Sequence, residues 1–155
     1  MVAEGMFRSS RVADWRIKLN AHIAANRDLR HSYDSTKGLD CARWTASCRT
    51  VVTGRKYDVS TAKYKSEKGA LLYLTRNGCK TVEQLAEKVL GPRLAISFAG
   101  AGDAVLADLS KMGLAGDLPQ IGLVLGICNG RTSYFVGESG LIEIPTLSLE
   151  CCFHG

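Results

Sequence analysis

The chain has 155 residues, 46% of them apolar, and 20 Lys and Arg against 15 Asp and Glu give it a net charge of +5. A chain of this length fits one domain and buries about two thirds of its unfolded surface, enough for a real core. No apolar run is long enough to span a bilayer, and Met1 to Arg11 lacks the apolar core of a signal peptide, so the expectation is a globular protein that works where it is made or assembled.

The first predicted element is a helix from Arg11 to Ala25, capped by Ser9 or Ser10. Val12, Trp15, Leu19 and Ile23 share its apolar face, with Trp15 as core anchor. Asn26 to Lys37 is polar and reads as a surface loop, in which His31 is expected to be solvated. Gly38 turns the chain, Asp40 is the N-cap of a second helix, and Cys41 stands at its first position. There the positive end of the helix dipole favours a thiolate, the nucleophilic form of cysteine. Cys41, Trp44, Thr45, Cys48, Val51 and Val52 keep a helical period facing the core, and Gly54 ends the helix. A small buried hydrophobe and a helix-borne nucleophile are both open readings of Cys41.

Arg55 to Lys65 is polar and is expected to be an exposed excursion with Tyr57 and Tyr64 laid against the body. Ser66 then caps a helix from Glu67 to Asn77, with Ala70, Leu71 and Leu74 inward. Thr81-Val82-Glu83-Gln84 has the form of a capping box that opens another helix ended by Gly91-Pro92. Ala99 to Asp103 is a turn, Ala104 to Leu109 a short strand, and Ser110 to Pro119 a loop. Three strands follow, at Ile121 to Cys128, Arg131 to Gly137 and Gly140 to Ile144. The first two are separated by Asn129-Gly130, a strong hairpin signal of type I′. Helices first and a small antiparallel sheet after them predict an α+β fold. The basic residues are spread along the chain, densest at Arg27/Arg30/His31 and Lys56/Lys63/Lys65/Lys68, and read as solvated surface with no nucleic-acid partner.

Six cysteines are present, Cys41, Cys48, Cys79, Cys128, Cys151 and Cys152, and free thiols are the default in a chain of this size without an export signal. Cys128 with the vicinal pair Cys151-Cys152, joined by Cys79 or His154, is the candidate ligand set for zinc or an iron–sulfur cluster. No C-x-x-C or zinc-finger spacing accompanies it, so the main expectation is no cofactor.

Asp40-Cys41 at a helix start, Gly102-Asp103 before an apolar strand, and the strand Gln120-Ile121-Gly122-Leu123-Val124-Leu125-Gly126 together resemble the NlpC-type, papain-like cysteine peptidases. The resemblance implies N-terminal helices packed on a small antiparallel sheet, Cys41 as nucleophile, and a histidine base at the head of the strand after Gly-Asp. More closely, Trp15 to Phe153 resembles an uncharacterised family encoded among bacteriophage and prophage tail genes. The segments that carry this likeness are Asp40-Cys41, Tyr64 to Ala70, Gly102-Asp103 and Tyr134 to Leu141.

Where the peptidases carry the base, this chain has Gln120, whose amide takes no proton near neutral pH. His22, His31 and His154 are the remaining candidates; nothing in the sequence places one beside Cys41, and His154 ranks first among them because it follows the sheet. Three functions therefore stand side by side. The first is a non-catalytic component of a phage tail tip, a pseudoenzyme module carried in the virion and made in the host cytoplasm. The second is an active cysteine peptidase or amidase that cleaves peptidoglycan as the tail penetrates. The third is a metal- or cluster-binding tail hub. The expected partners are other tail proteins (hub, distal tail and central fibre components) and peptidoglycan, with no membrane. Residues 1–155 are read as a single peptidase-like domain, with 1–10 and 151–155 as contact tails.

Overall fold

A computed structural model describes residues 8–112 and 123–155. Its organising element is a thirteen-residue helix, α2 (Cys41–Thr53), of which nine residues are buried, from Cys41 and Ala42 at its start to Val52 near its end. Asp40 caps it as the sequence predicts, its Oδ1 accepting from the backbone N–H of Arg43 at 2.8 Å, and Gly54 closes it in the left-handed conformation at φ 73°. A helix buried on most sides must be covered by several elements. On one side α1 (Trp15–Ala25) packs through Leu19 and Ile23 against Trp44, Cys48 and Val52. On the other, Cys41, Ala42 and Ala46 pack on the sheet together with α4 (Val82–Leu90), which α3 (Glu67–Arg76) precedes.

The sheet has five antiparallel strands in the order β4-β3-β2-β1-β5, formed by β1 (Ala104–Asp108), β2 (Leu123–Asn129), β3 (Thr132–Val136), β4 (Leu141–Pro145) and β5 (Cys151–Phe153). A one-turn helix, α5 (Leu109–Met112), follows β1. The fold is thus α+β, with helices leading and a small antiparallel sheet closing the chain. No helix among the described residues is long and apolar enough to cross a membrane.

Leu71, expected on the inner face of α3, is 54% exposed, and Ser110 to Met112, expected in a loop, fall in α5. Four further expectations change. Helix α1 starts at Trp15 and has no side-chain cap; its N-cap is Asp14 at φ 57°. The residues before it are held elsewhere, with Val12 N–H donating to Val52 O and the Arg11 guanidinium reaching Ala101 O, so Ser9 and Ser10 are not available as caps. Trp15 is only part-buried, with the guanidinium carbons of Arg11 and Arg16 at 4.3 and 4.7 Å from its ring centroid; Trp44 is the core anchor. The β2–β3 turn is centred on Gly130-Arg131, because Asn129 pairs with Thr132. Gly130 at φ 87° and no positive φ at Asn129 or Arg131 give the type II′ pattern, one residue later than an Asn-Gly type I′ turn.

The fourth change is at the C-terminus. Cys151 to Gly155 is no contact tail, since Cys151–Phe153 forms β5, buried and paired with Ala104 to Leu106 of β1. Too short to show alternation, this strand is built from residues whose burial comes from their partners. At the other end, Arg8 to Ser10 are tied to the body, Ser9 N–H donating to Gly155 O at 3.1 Å. Residues 1–7 lie outside the described residues.

Candidate functional site

The predicted excursion after α2 is a clamp around the start of that helix. A short 3-10 turn at Asp58–Thr61 buries Val59, and Tyr57 ahead of it is 6% exposed. Beyond the turn, the carbonyls of Ala62 and Tyr64 both accept from Nη2 of Arg43, at 2.7 and 2.9 Å, while its Nη1 donates to Tyr33 O at 2.8 Å. The Arg43 guanidinium also lies 3.7 Å from the Tyr64 ring centroid. The Tyr64 hydroxyl then donates to Oδ2 of Asp40 at 2.5 Å. One buried arginine and one buried carboxylate thus bind the loop before the helix, the helix start and the excursion into a single frame. Burial and the neighbouring Asp40 charge hold the Tyr64 hydroxyl protonated well above its ordinary range.

Cys41 sits inside this frame, 3% exposed, where two cavities meet. A cleft of about 910 Å³ runs past Cys41, His31, Lys65, Lys80 and Leu123. An apolar pocket of about 100 Å³ lies behind it, lined by Tyr64, Ala70, Leu71, Val82 and Leu85 among others. Leu123 is the first residue of β2, so the strand that the resemblance gives to the base enters at the cleft. Gln120 itself lies outside the described residues.

The three histidines separate clearly. His22 is on α1, its Nε2 3.0 Å from Ser47 Oγ and its ring stacked on Trp44; Ser47 is six residues along α2 from Cys41, about 9 Å by helical rise. His154 lies at the other end of α2, where Arg49 Nη2 donates to its carbonyl; eight residues of helix, about 12 Å, separate Arg49 from Cys41. The expected Cys41–His154 pairing is therefore not formed. His31, expected to be solvated, is half-buried and lines the cleft with Cys41. Burial pushes its pKa down, with Asp40 and Glu67 opposing, so the ring is neutral and able to accept a proton at pH 7. Its Nε2 is buried with no hydrogen-bond partner, so this nitrogen is not engaged with the thiol.

The cysteines do not gather as the metal reading expects. All six are buried and none is in a disulfide. Cys128 faces Gly130 O and Thr146. Cys151 and Cys152 are adjacent on β5, where successive side chains point to opposite faces. Burial raises their thiols to about 11 and about 12 respectively. Among the described residues, the group of three ligating side chains within 4.8 Å of one another is Asp103, Cys152 and His154. It fits a cation poorly. Asp103 Oδ1 accepts from Arg8 Nε at 2.8 Å and Arg11 Nη2 at 3.0 Å, and its Oδ2 accepts from Arg8 Nη2 and Gly100 N–H, both at 2.8 Å. His154 Nε2 already faces Phe98 O at 3.0 Å and Arg8 Nη2 at 3.2 Å. Two guanidiniums and a protonated thiol make this an ion-pair anchor. The Gly-Asp motif fastens the N-terminal segment to the sheet.

A family described as Domain of unknown function (DUF6950) matches residues 10–154, the span from just before α1 to the end of β5. The chain belongs to that family. No curated protein and no solved structure matches it. The matched span takes in both the Asp40-Cys41 frame and the Asp103 anchor. Sequence reasoning found Asp40 and Cys41 from cap chemistry and Gly102-Asp103 from a turn and the family resemblance, named His31 only as one of three candidate bases, and gave Arg43 and Tyr64 no part in the site. Arg43 falls off the apolar stripe that Cys41, Trp44, Thr45 and Cys48 define, and like Tyr64 and His31 it reaches the site only through tertiary packing.

Proposed function

We propose that this protein is a structural component of a bacteriophage tail tip, an assembly module on a degenerate NlpC-type, papain-like fold. The observation that carries this reading is that the Asp40 carboxylate and both terminal nitrogens of the Arg43 guanidinium beside Cys41 are engaged in structure. Both Asp40 oxygens are taken, one by the helix it caps and the other by Tyr64, and Arg43 is bound to three main-chain carbonyls. The thiol is nearly closed from solvent, and the imidazole Nε2 in the cleft is not hydrogen-bonded to it. A hydrolase needs its base in hydrogen-bond reach of the nucleophile and its nucleophile open to substrate. The likeness to tail-gene products over Trp15 to Phe153 supplies the setting, with hub, distal tail and central fibre proteins as partners in the virion. Mass spectrometry of purified tails tests this directly. The protein is expected in stoichiometric copies, and its absence from purified virions would contradict the proposal.

A second reading has its own observation, the neutral His31 in the same cleft as Cys41. In an active cysteine peptidase or amidase, His31 would take the thiol proton as the sulfur bonds to a peptidoglycan carbonyl. The leaving amine would take that proton back, and water would then release the acyl group. The N–H groups at the start of α2 would hold the oxyanion. Cell-wall digestion by the wild type against Cys41→Ala and His31→Asn decides it. Activity lost in both variants supports the hydrolase, and equal activity in all three removes it.

A further inference from the structure

An open depression lies away from Cys41, where the segment before α1 meets the turn before β1. Its volume is about 400 Å³, and it is lined by Arg8, Ser9, Arg11, Arg16, Gly100 and Ala101. Three of these residues are arginines and none is acidic.

Two of the arginines are already fixed. Asp103, fully buried, receives Arg8 Nε and Nη2 at 2.8 Å and Arg11 Nη2 at 3.0 Å. Arg8 Nη2 also donates to Phe98 O at 3.1 Å, and Arg11 Nη1 to Ala101 O at 2.7 Å. Glycine backbone makes room for both groups: a Cβ at Gly100 would stand 2.9 Å from Arg8 Nη2, and one at Gly102 2.8 Å from Arg11 Nη1.

The third arginine is different. Arg16 is exposed, and among the described residues its guanidinium has no hydrogen bond and no ion pair. It lies over the Trp15 ring at 4.7 Å, and Arg11 lies over the same ring at 4.3 Å. The ring attracts both cations while they repel each other. Burial lowers the pKa of Arg11; Asp103 opposes this, and the charges of Arg49 and Arg8 add to it. Asp103 therefore leaves positive charge uncompensated here.

We propose that this depression binds the phosphate group of a phosphate monoester. Arg16 offers a planar fork that takes two phosphate oxygens side by side, and Arg8 and Arg11 supply charge from positions preset by Asp103. Three guanidiniums against one paired carboxylate leave two positive charges. These match a monoester, whose charge is about −1.5 to −2 at pH 7. The depression is larger than one tetrahedral head, which leaves room for the organic part of the ester. The site goes beyond the tail-tip role and makes no use of Cys41.

The test is an NMR titration of the full chain with glycerol 1-phosphate at constant ionic strength and pH 7.5. Methanesulfonate, a tetrahedral head of single charge, and inorganic phosphate are titrated in parallel. Saturable shifts at Arg16, Gly100 and Ala101 are expected with the ester, with much weaker binding of methanesulfonate and no tighter binding of inorganic phosphate. Arg16→Gln should weaken the ester about tenfold or more, as loss of hydrogen bonds to a charged group does, and Arg16→Glu should abolish its binding. Both variants replace an exposed side chain that bonds to no described residue, so the fold is expected to stand. No saturable shift with the ester, equal binding of methanesulfonate, or unchanged affinity in Arg16→Gln would overturn the proposal. Inorganic phosphate binding far more tightly than the ester would also overturn it, in favour of the free ion.

Discussion

At the scale of single residues, Asp40 has the largest local consequence, because one buried carboxylate caps α2 and receives the Tyr64 hydroxyl. Losing an N-cap costs about 1 kcal/mol, and leaving a buried hydroxyl without its acceptor about 1–3 kcal/mol more. Asp40→Ala is therefore expected to cost about 2–4 kcal/mol in urea denaturation, and Asp40→Asn much less, since an amide oxygen still accepts. A similar cost for both variants would mean that the carboxylate charge matters more than its geometry.

The titrating groups give a second expectation at this scale. His22 and His31 have pKa values lowered by burial, so below pH about 6.5 the unfolded chain binds protons that the folded one refuses, and stability is lost on acidification. Tyr64 and Tyr73 are raised, first by burial and then through their hydrogen-bonded partners Asp40 and Asp58. Their contribution is full below pH about 10 and is lost as the pH rises beyond it. Denaturant melts across pH should show a fall on both sides of neutrality, with the acid-side slope reduced in His22→Asn and the alkaline one in Tyr64→Phe.

At the scale of elements, the sequence was most readable where local chemistry decides. The caps of α2, α3 and α4 are Asp40, Ser66 and Thr81, each accepting from an N–H three residues on, as cap patterns predict. Even the capping box is altered by its neighbours, as Gln84 Oε1 accepts from Lys80 N–H and not from Thr81. What failed was set by partners distant in sequence. Residues 8–14 leave the α1 pattern because Asp103 and Val52 hold them, and β5 exists because β1 offers it an edge. Gly38 shows the same dependence in space: a Cβ there would stand 2.0 Å from Arg30 O. The loop carrying His31 runs beside the turn before Cys41, with Leu39 N–H donating to Arg30 O and Ser32 N–H to Leu39 O. Gly38→Ala should cost about 1–3 kcal/mol as an overpacked site, and should disturb the amide resonances of His31 and Cys41 together. A neutral substitution would show that the two segments are not in contact.

For the whole molecule, Asp103 joins the ends of the chain to the sheet. It is fully buried, and its oxygens hold Arg8 and Arg11, while Arg49 binds Gly102 beside it and the main chain of His154 and Gly155. Removing one partner of a buried ion pair leaves the other uncompensated, at about 3–5 kcal/mol; the part-exposed Arg8 lowers the estimate to about 3 kcal/mol for Asp103→Ala. Differential scanning calorimetry should show one lowered transition, and an unchanged melt would contradict the anchoring role. The Gly-Asp dipeptide was visible in the sequence as a motif, but its purpose was not, because Arg8, Arg11 and His154 lie far from it along the chain. The candidate site divides in the same way. Asp40 and Cys41 could be found by reading a helix start, whereas His31 meets Cys41 only across a cleft that the fold creates.

In the role proposed above, the protein acts in the tail tip as structure and not as a cysteine hydrolase. The most direct measurement is plaque titre after complementing a phage deleted for the gene with the wild type or with Cys41→Ala. Equal titres, with the variant present in purified tails, are the predicted result. A titre that falls by orders of magnitude while Cys41→Ala still assembles into complete tails would contradict it and make Cys41 a working nucleophile.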